Sequence, residues 1–167
     1  MKRFPGATMA RMFRGCAACA CVLVLNGCAS GPRELSLPAL DASESVAGTG
    51  TVKLGLGSGR LTAELASTPL QAATGLAFRT SLPWDRAMLF VYSAPHRASF
   101  YMKNTSIPLS GAYIDSNGTV LEIHDLNPGN ETPVVSRTNN VQFVLEVNWG
   151  WFRINDVTTG SRVFVER

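Results

Sequence analysis

The chain has 167 residues, with 15 lysines and arginines against 12 aspartates and glutamates and a formal charge of +3. The surplus sits in the first 27 residues, where Lys2, Arg3, Arg11 and Arg14 meet no acidic group; beyond them 11 basic face 12 acidic side chains, a charge of −1, which excludes the basic, aromatic-interleaved face that nucleic acid requires. The four cysteines are Cys16, Cys19, Cys21 and Cys28, so no disulfide can form within the chain beyond residue 28.

The amino terminus has the layout of a secretory signal. Basic residues precede an apolar run from Cys16 to Leu25, and Leu25-Asn26-Gly27-Cys28 follows with a small residue before the cysteine. Leu25 and Gly27 stand three and one residues before Cys28, as in a bacterial lipoprotein box, although Asn26 is an unusual occupant of the middle position. The expectation is a signal peptide over residues 1–27, cleaved to expose a lipid-modified Cys28. Ala29 in place of an aspartate points to the outer membrane, with the domain facing the periplasm. An uncleaved membrane helix is the alternative, but the apolar run is only about ten residues against the roughly 20 needed to span a bilayer. The Cys16-Ala17-Ala18-Cys19 spacing imitates a redox or zinc pair, yet it lies inside the signal's apolar core.

Residues 28–49 read as a flexible tether. Gly31, Pro32, Pro38, Ser43, Ser45 and Gly48 interrupt the few apolar residues, and no period survives. Residues 50–167 then have the length of one domain, large enough for a single core without covalent staples. Val52, Leu54 and Leu56 alternate with small or polar neighbours, and Leu61, Ala63 and Leu65 do so again, which predicts a hairpin around Gly55-Leu56-Gly57-Ser58-Gly59. A short helix follows near residues 68–78. Thr68 caps it, Pro69 suits the first position, Gln71 completes a capping box, and Leu70, Ala73, Ala77 and Leu76 supply an apolar stripe.

Short strands are predicted over Ala87–Tyr92, Ala98–Lys103, Leu109–Ile114, Thr119–His124, Val141–Val147 and Arg162–Val165, with Asn117-Gly118 as the strongest hairpin turn. The pattern predicts a mainly β fold, a compact β-barrel-like or sandwich domain rather than a parallel sheet. Asp125 to Asn140 is the longest irregular stretch and the expected functional loop.

A resemblance agrees with this. Gly75-Leu76-Ala77-Phe78-Arg79, Met88-Leu89-Phe90-Val91, Met102-Lys103-Asn104-Thr105, Ile114-Asp115, Ser136-Arg137, Val144-Leu145-Glu146 and Gly160-Ser161-Arg162-Val163 fall in the order of the uncharacterised prokaryotic family known as domain of unknown function 192. The chain departs from the family pattern at Ala77, Ala87, Tyr101, Ser110 and Ser161. The last two replace carboxylates, which weakens any acidic catalytic or metal cluster. The resemblance implies a compact β-barrel-like or sandwich domain with little helix.

No catalytic signature stands out. Ser136, His124 and Asp115 or Asp125 have the residue types for acyl transfer, but no Gly-x-Ser-x-Gly elbow accompanies them. His96 and His124 lack partners at metal-ligand spacing, so neither metal nor cofactor is expected. Strand alternation puts Ser99, Tyr101 and Lys103 on one face, opposite Ala98, Phe100 and Met102, which offers a ligand an aromatic platform beside a cation. Alternatively Lys103 lays its stem on Tyr101, and Asn104 and Thr105 shape a turn. Arg79 and Arg137 suit a phosphate or carboxylate, though Arg79 also stands where it can bond the last carbonyls of the helix. Glu146, between Leu145 and Val147, is expected to face a partner such as an arginine. Trp149-Gly150-Trp151-Phe152 is either a sugar-stacking platform or core.

The sequence thus suggests a lipid-anchored binding or accessory module whose site comprises Arg79, Tyr101, Lys103, Asn104, Ser136 and Arg137, with an envelope glycan, peptide or protein as partner. The rivals are an envelope hydrolase using Ser136 and His124, and a purely structural or self-associating domain.

Overall fold

The computed structural model describes residues 50–166; the signal and tether expectations and Cys28 lie outside the described residues. Strands β1 (Thr51–Leu56), β2 (Gly59–Ala66), β3 (Arg86–His96), β5 (Leu109–Ile114), β6 (Val120–Leu126), β8 (Val141–Asn148) and β9 (Val163–Val165) form one curled seven-stranded half-barrel in the order β6-β5-β8-β3-β2-β1-β9. A second ladder pairs β4 (Ser99–Phe100) with β7 (Val134–Val135), and two short helices, α1 (Pro69–Thr74) and α2 (Trp151–Ile154), complete the described elements.

Period-two alternation dictates the two cores. Along β8, Phe143, Leu145 and Val147 enter one cluster with Leu54, Leu89 and Trp151, while Val144 enters a second with Phe90, Tyr113 and Met102. Both faces of the central strands are therefore covered, which is why β5 is buried along its whole length. All pairings are antiparallel except β2 with β3, where Thr62 to Ala66 run alongside Arg86 to Phe90. A parallel pair needs a crossover, and α1 lies on it. That pair is the one departure from the antiparallel arrangement the turn pattern suggested.

The outer strands of the sheet are drawn back together. An isolated bridge joins Thr119 to Arg162, and Val120 N–H donates to Ser161 O at 2.9 Å while Val163 N–H donates to Gly118 O at 2.8 Å. Asn117-Gly118 turns β5 into β6 as expected, with Gly118 at a φ of 81° that a side chain would strain. The first hairpin is tighter than predicted, because β1 runs to Leu56 and β2 starts at Gly59. Gly59 packs so closely on Trp151 that a Cβ there would lie 2.5 Å from the indole.

Three local expectations change. The capping box of α1 is present, with Thr68 accepting from Gln71 N–H, but no residue of the helix is buried; Leu70 and Ala73 are exposed, and Leu76 beyond the helix end reaches the core instead. The strand expected over Ala98–Lys103 stops at Phe100, because the chain turns at Lys103-Asn104 and Met102 N–H bonds Asn130 O at 2.7 Å. Trp149-Gly150-Trp151-Phe152 divides: Trp151 and Phe152 are core on α2, whereas Trp149 is half exposed under the Arg153 guanidinium, 5.5 Å from its ring centre.

Candidate functional site

A cleft of about 290 Å³ opens beneath α1. One wall is the helix and its exit, Ala72 to Phe78; the other is Ser99 to Thr105; Phe90, Tyr92 and Glu146 form the floor. Each wall contains a residue in left-handed backbone. Phe78 has φ 64° and Asn104 φ 58°, and the two are tied together by Phe78 N–H donating to Asn104 O at 2.8 Å. Of three non-glycine residues with positive φ among the described residues, two thus line one cleft. Such strain persists only where surrounding structure enforces it, and it clusters at ligand clamps.

Glu146 is the chemically loaded group. It sits on β8, the strand between β5 and β3, opposite Gly111 on one side and Met88 on the other. Neither neighbour has a side-chain donor, and among the described residues the carboxyl makes no hydrogen bond or ion pair, although only 5% of the residue is exposed. The arginine expected from the sequence is not there. Burial pushes the Glu146 carboxyl up to about 8, because the charged form loses water and gains no partner. Tyr92 and Tyr113 are also raised, by burial first and then by the nearby Glu146.

The residues singled out from the sequence fall into three places. Tyr101, Lys103 and Asn104 line the cleft together, with Tyr101 exposed and Lys103 at 3.9 Å from Glu131. Asn104 acts through its backbone conformation, which asparagine tolerates better than most residues. Arg79 directly follows Phe78 but grips Glu64 with two hydrogen bonds of 2.7 and 2.6 Å, which lowers the Glu64 carboxyl and raises the guanidinium further. Ser136 and Arg137 lie outside the cleft lining.

Ser136 is fully buried. Its Oγ accepts from Ala98 N–H at 3.0 Å and donates to Thr138 O at 2.7 Å, so it pins the Asp125–Asn140 segment to the start of the Ser99–Thr105 wall. His124 Nε2 meets Glu122 Oε2 at 2.9 Å, and Glu122 Oε1 accepts from Arg137 N–H at 2.7 Å. Burial pushes Glu122 up, but the Arg137 and His124 contacts outweigh it and hold the carboxyl below its ordinary value. No hydrogen bond joins Ser136 to His124, so the nucleophile and base of the hydrolase reading are committed elsewhere. The same segment supports the cleft from behind through Gly129 N–H, which donates to Thr105 O at 3.0 Å. Among the described residues no group of three or more His, Cys, Asp or Glu could hold a metal ion, and no helix is long and apolar enough to cross a membrane.

Sequence reasoning missed the cleft because its parts are remote in the chain: residues 72–78, 99–105 and 146 meet only through the fold. The available signal was Glu146 itself, a carboxylate set among the apolar residues of Val141–Asn148.

Solved structures share this fold. A candidate transcription regulator from Sinorhizobium meliloti 1021 is 32% identical with a TM-score of 0.68, covering 70% of this chain and 95% of that one. A protein of unknown function from Novosphingobium aromaticivorans DSM 12444 is 31% identical with a TM-score of 0.65, covering 81% of this chain and 93% of that one. No curated protein matches the chain significantly. The family model described as an uncharacterised ACR, DUF192, matches residues 52–165, and the chain belongs to that family.

Proposed function

We propose that the domain is a binding module of the cell envelope, with the cleft beneath α1 as its ligand site and an acylated Cys28 anchoring it to the periplasmic face of the outer membrane. The observation that carries the reading is the buried, unpartnered Glu146 carboxyl at the cleft floor. A buried acid without a partner is costly, and a perturbed acid in a cleft marks a functional site. Tyr101, Lys103 and Asn104 form the rim that an envelope glycan or peptide meets first. Arg79 and the Ser136-Arg137 segment shape and brace that rim rather than touch the ligand. The regulator description belongs to the Sinorhizobium relative; beyond residue 27 this chain carries 11 basic against 12 acidic side chains, which gives nucleic acid no electrostatic foothold.

Thermal unfolding of the chain with a panel of glycan fragments and short peptides tests the reading. A ligand that binds the native state raises Tm, and Ala73→Trp, which places a ring in the cleft from an exposed helix position, abolishes that rise. No rise with any member of the panel, or an equal rise in the variant, overturns it. For the anchor, Cys28→Ser moves the protein expressed from the full chain out of the membrane fraction; recovery of the unaltered protein in the soluble fraction overturns the anchoring.

A further inference from the structure

The floor and walls of the cleft specify more than a cavity. An ionised carboxylate only accepts hydrogen bonds, so the group it lacks is an N–H or O–H donor, and charge favours a cationic one. Around it stand aromatic rings: Phe90 and Tyr92 on β3, Phe100 and Tyr101 on the opposite wall, with Phe90 and Phe100 edge to face at 4.8 Å between centres. Ring faces attract cations, most strongly where water is excluded. In its ionised form the group repels an anion, and one carboxylate without companion ligands does not make a metal site. The volume, about 290 Å³, lies at the small end of ligand pockets and suits a short stem rather than a bulky ring system.

We propose that the cleft selects ligands by a protonated amine or guanidinium head on a short apolar stem, received by the Glu146 carboxylate within the collar of Phe90, Tyr92, Phe100 and Tyr101. This rests on the reading of the cleft as a ligand site. Lys103, exposed at the rim, is placed to meet an anionic group at the far end of such a ligand.

Entry of the cation couples to a proton. Burial holds the Glu146 carboxyl at about 8, so at neutral pH the empty cleft contains the neutral acid, and a bound cation displaces its proton to solvent. The other titratable groups facing this site are Tyr92 on β3, Tyr113 on β5, and Tyr101 and Lys103 on the wall. Tyr92 and Tyr113 are shifted upward, away from the neutral range, and Glu122 and His124 lie beyond Tyr113 on β6.

Calorimetric titration of the full chain with n-butylamine, with n-butanol as the uncharged counterpart of similar shape, tests the inference. The amine binds at least tenfold more tightly than the alcohol, and its association constant rises about tenfold from about pH 6 to about pH 7 and levels off above about pH 8. Binding releases a proton in the lower range. Glu146→Gln erases the preference for amine over alcohol; should that variant not fold, the pH profile of the unaltered chain and the alcohol control decide the matter alone. A capped lysine that binds more tightly than butylamine identifies a basic peptide as the source of the head group, and the reverse order identifies a free amine. Equal affinity for amine and alcohol, or an amine affinity independent of pH, overturns the inference. If amines fail while a neutral glycan or peptide fragment still binds in a manner blocked by Ala73→Trp, only the choice of head group falls. If nothing binds, the ligand-site reading falls with it.

Discussion

Glu146 keeps a proton in the folded chain between its ordinary value of 4.5 and about 8, whereas the unfolded chain releases it. Stability therefore falls as pH rises across that window and levels off above it. Glu64 and Glu122 are shifted downward, so what they contribute is complete above their unfolded value and is lost only as pH drops below it. Urea unfolding is expected to give a smaller free energy at about pH 8.5 than at about pH 5.5, and Glu146→Gln to flatten that slope. Ser136 offers a contrast. Its hydroxyl bonds two backbone groups at a fully buried position, so Ser136→Ala is expected to cost about 1–3 kcal/mol. Lys103→Ala, on an exposed side chain, is expected to stay within about 0.5 kcal/mol. Asn104 stands at φ 58°, where glycine is at ease and alanine is not; Asn104→Ala is expected to lose about 1 kcal/mol and Asn104→Gly to lose less. Equal losses in the two variants count against a backbone role.

At the scale of elements, α1 is the weak member. It has six residues, none buried, and Thr68 and Gln71 close its first turn reciprocally. Thr68→Ala is expected to cost about 1 kcal/mol, and amide exchange in residues 69–74 to be faster than in β8, slowing when a ligand occupies the cleft; exchange in α1 as slow as in β8 speaks against a soft roof. The sequence made this helix legible through its cap, because capping chemistry is local. It made β5 and β8 legible because a short apolar run, rich in β-branched or aromatic residues and bounded by turn residues, favours a strand over a helix. It did not reveal α2, since Gly150 in left-handed backbone starts that helix without a side-chain cap. Nor did it reveal that β3 continues to His96 through Ser93-Ala94-Pro95, beyond the strand expected over Ala87–Tyr92. Of the candidate site, the Tyr101–Asn104 wall was visible as polar residues at a strand end. Glu146 was visible as a residue but not as an unpartnered one, because whether a carboxylate finds an arginine is decided by neighbours on other strands.

For the molecule as a whole, the placement of β8 between β5 and β3 means the cleft floor shares the rigidity of the sheet, while α1 and the Ser99–Thr105 wall are attached at its margin. Ligand preference is therefore expected to shift with substitutions at exposed wall positions such as Tyr101 and Lys103 while the stability of the sheet stays within about 0.5 kcal/mol, a separation that urea unfolding of those variants would check. The sheet has another property. β1 and β9, the earliest and latest strands, are antiparallel neighbours with Leu54 opposite Val165, and Glu166 N–H donates to Lys53 O at 2.9 Å. The sheet therefore cannot be completed before its last strand is available, and folding must wait for contacts spanning almost the entire domain. The same adjacency makes the order of the strands along the chain dispensable. A short glycine-serine linker from residue 166 to residue 50, with new ends cut between the exposed Thr80 and Ser81, away from the bonds that brace the cleft walls, is expected to yield a circular permutant with the same cleft.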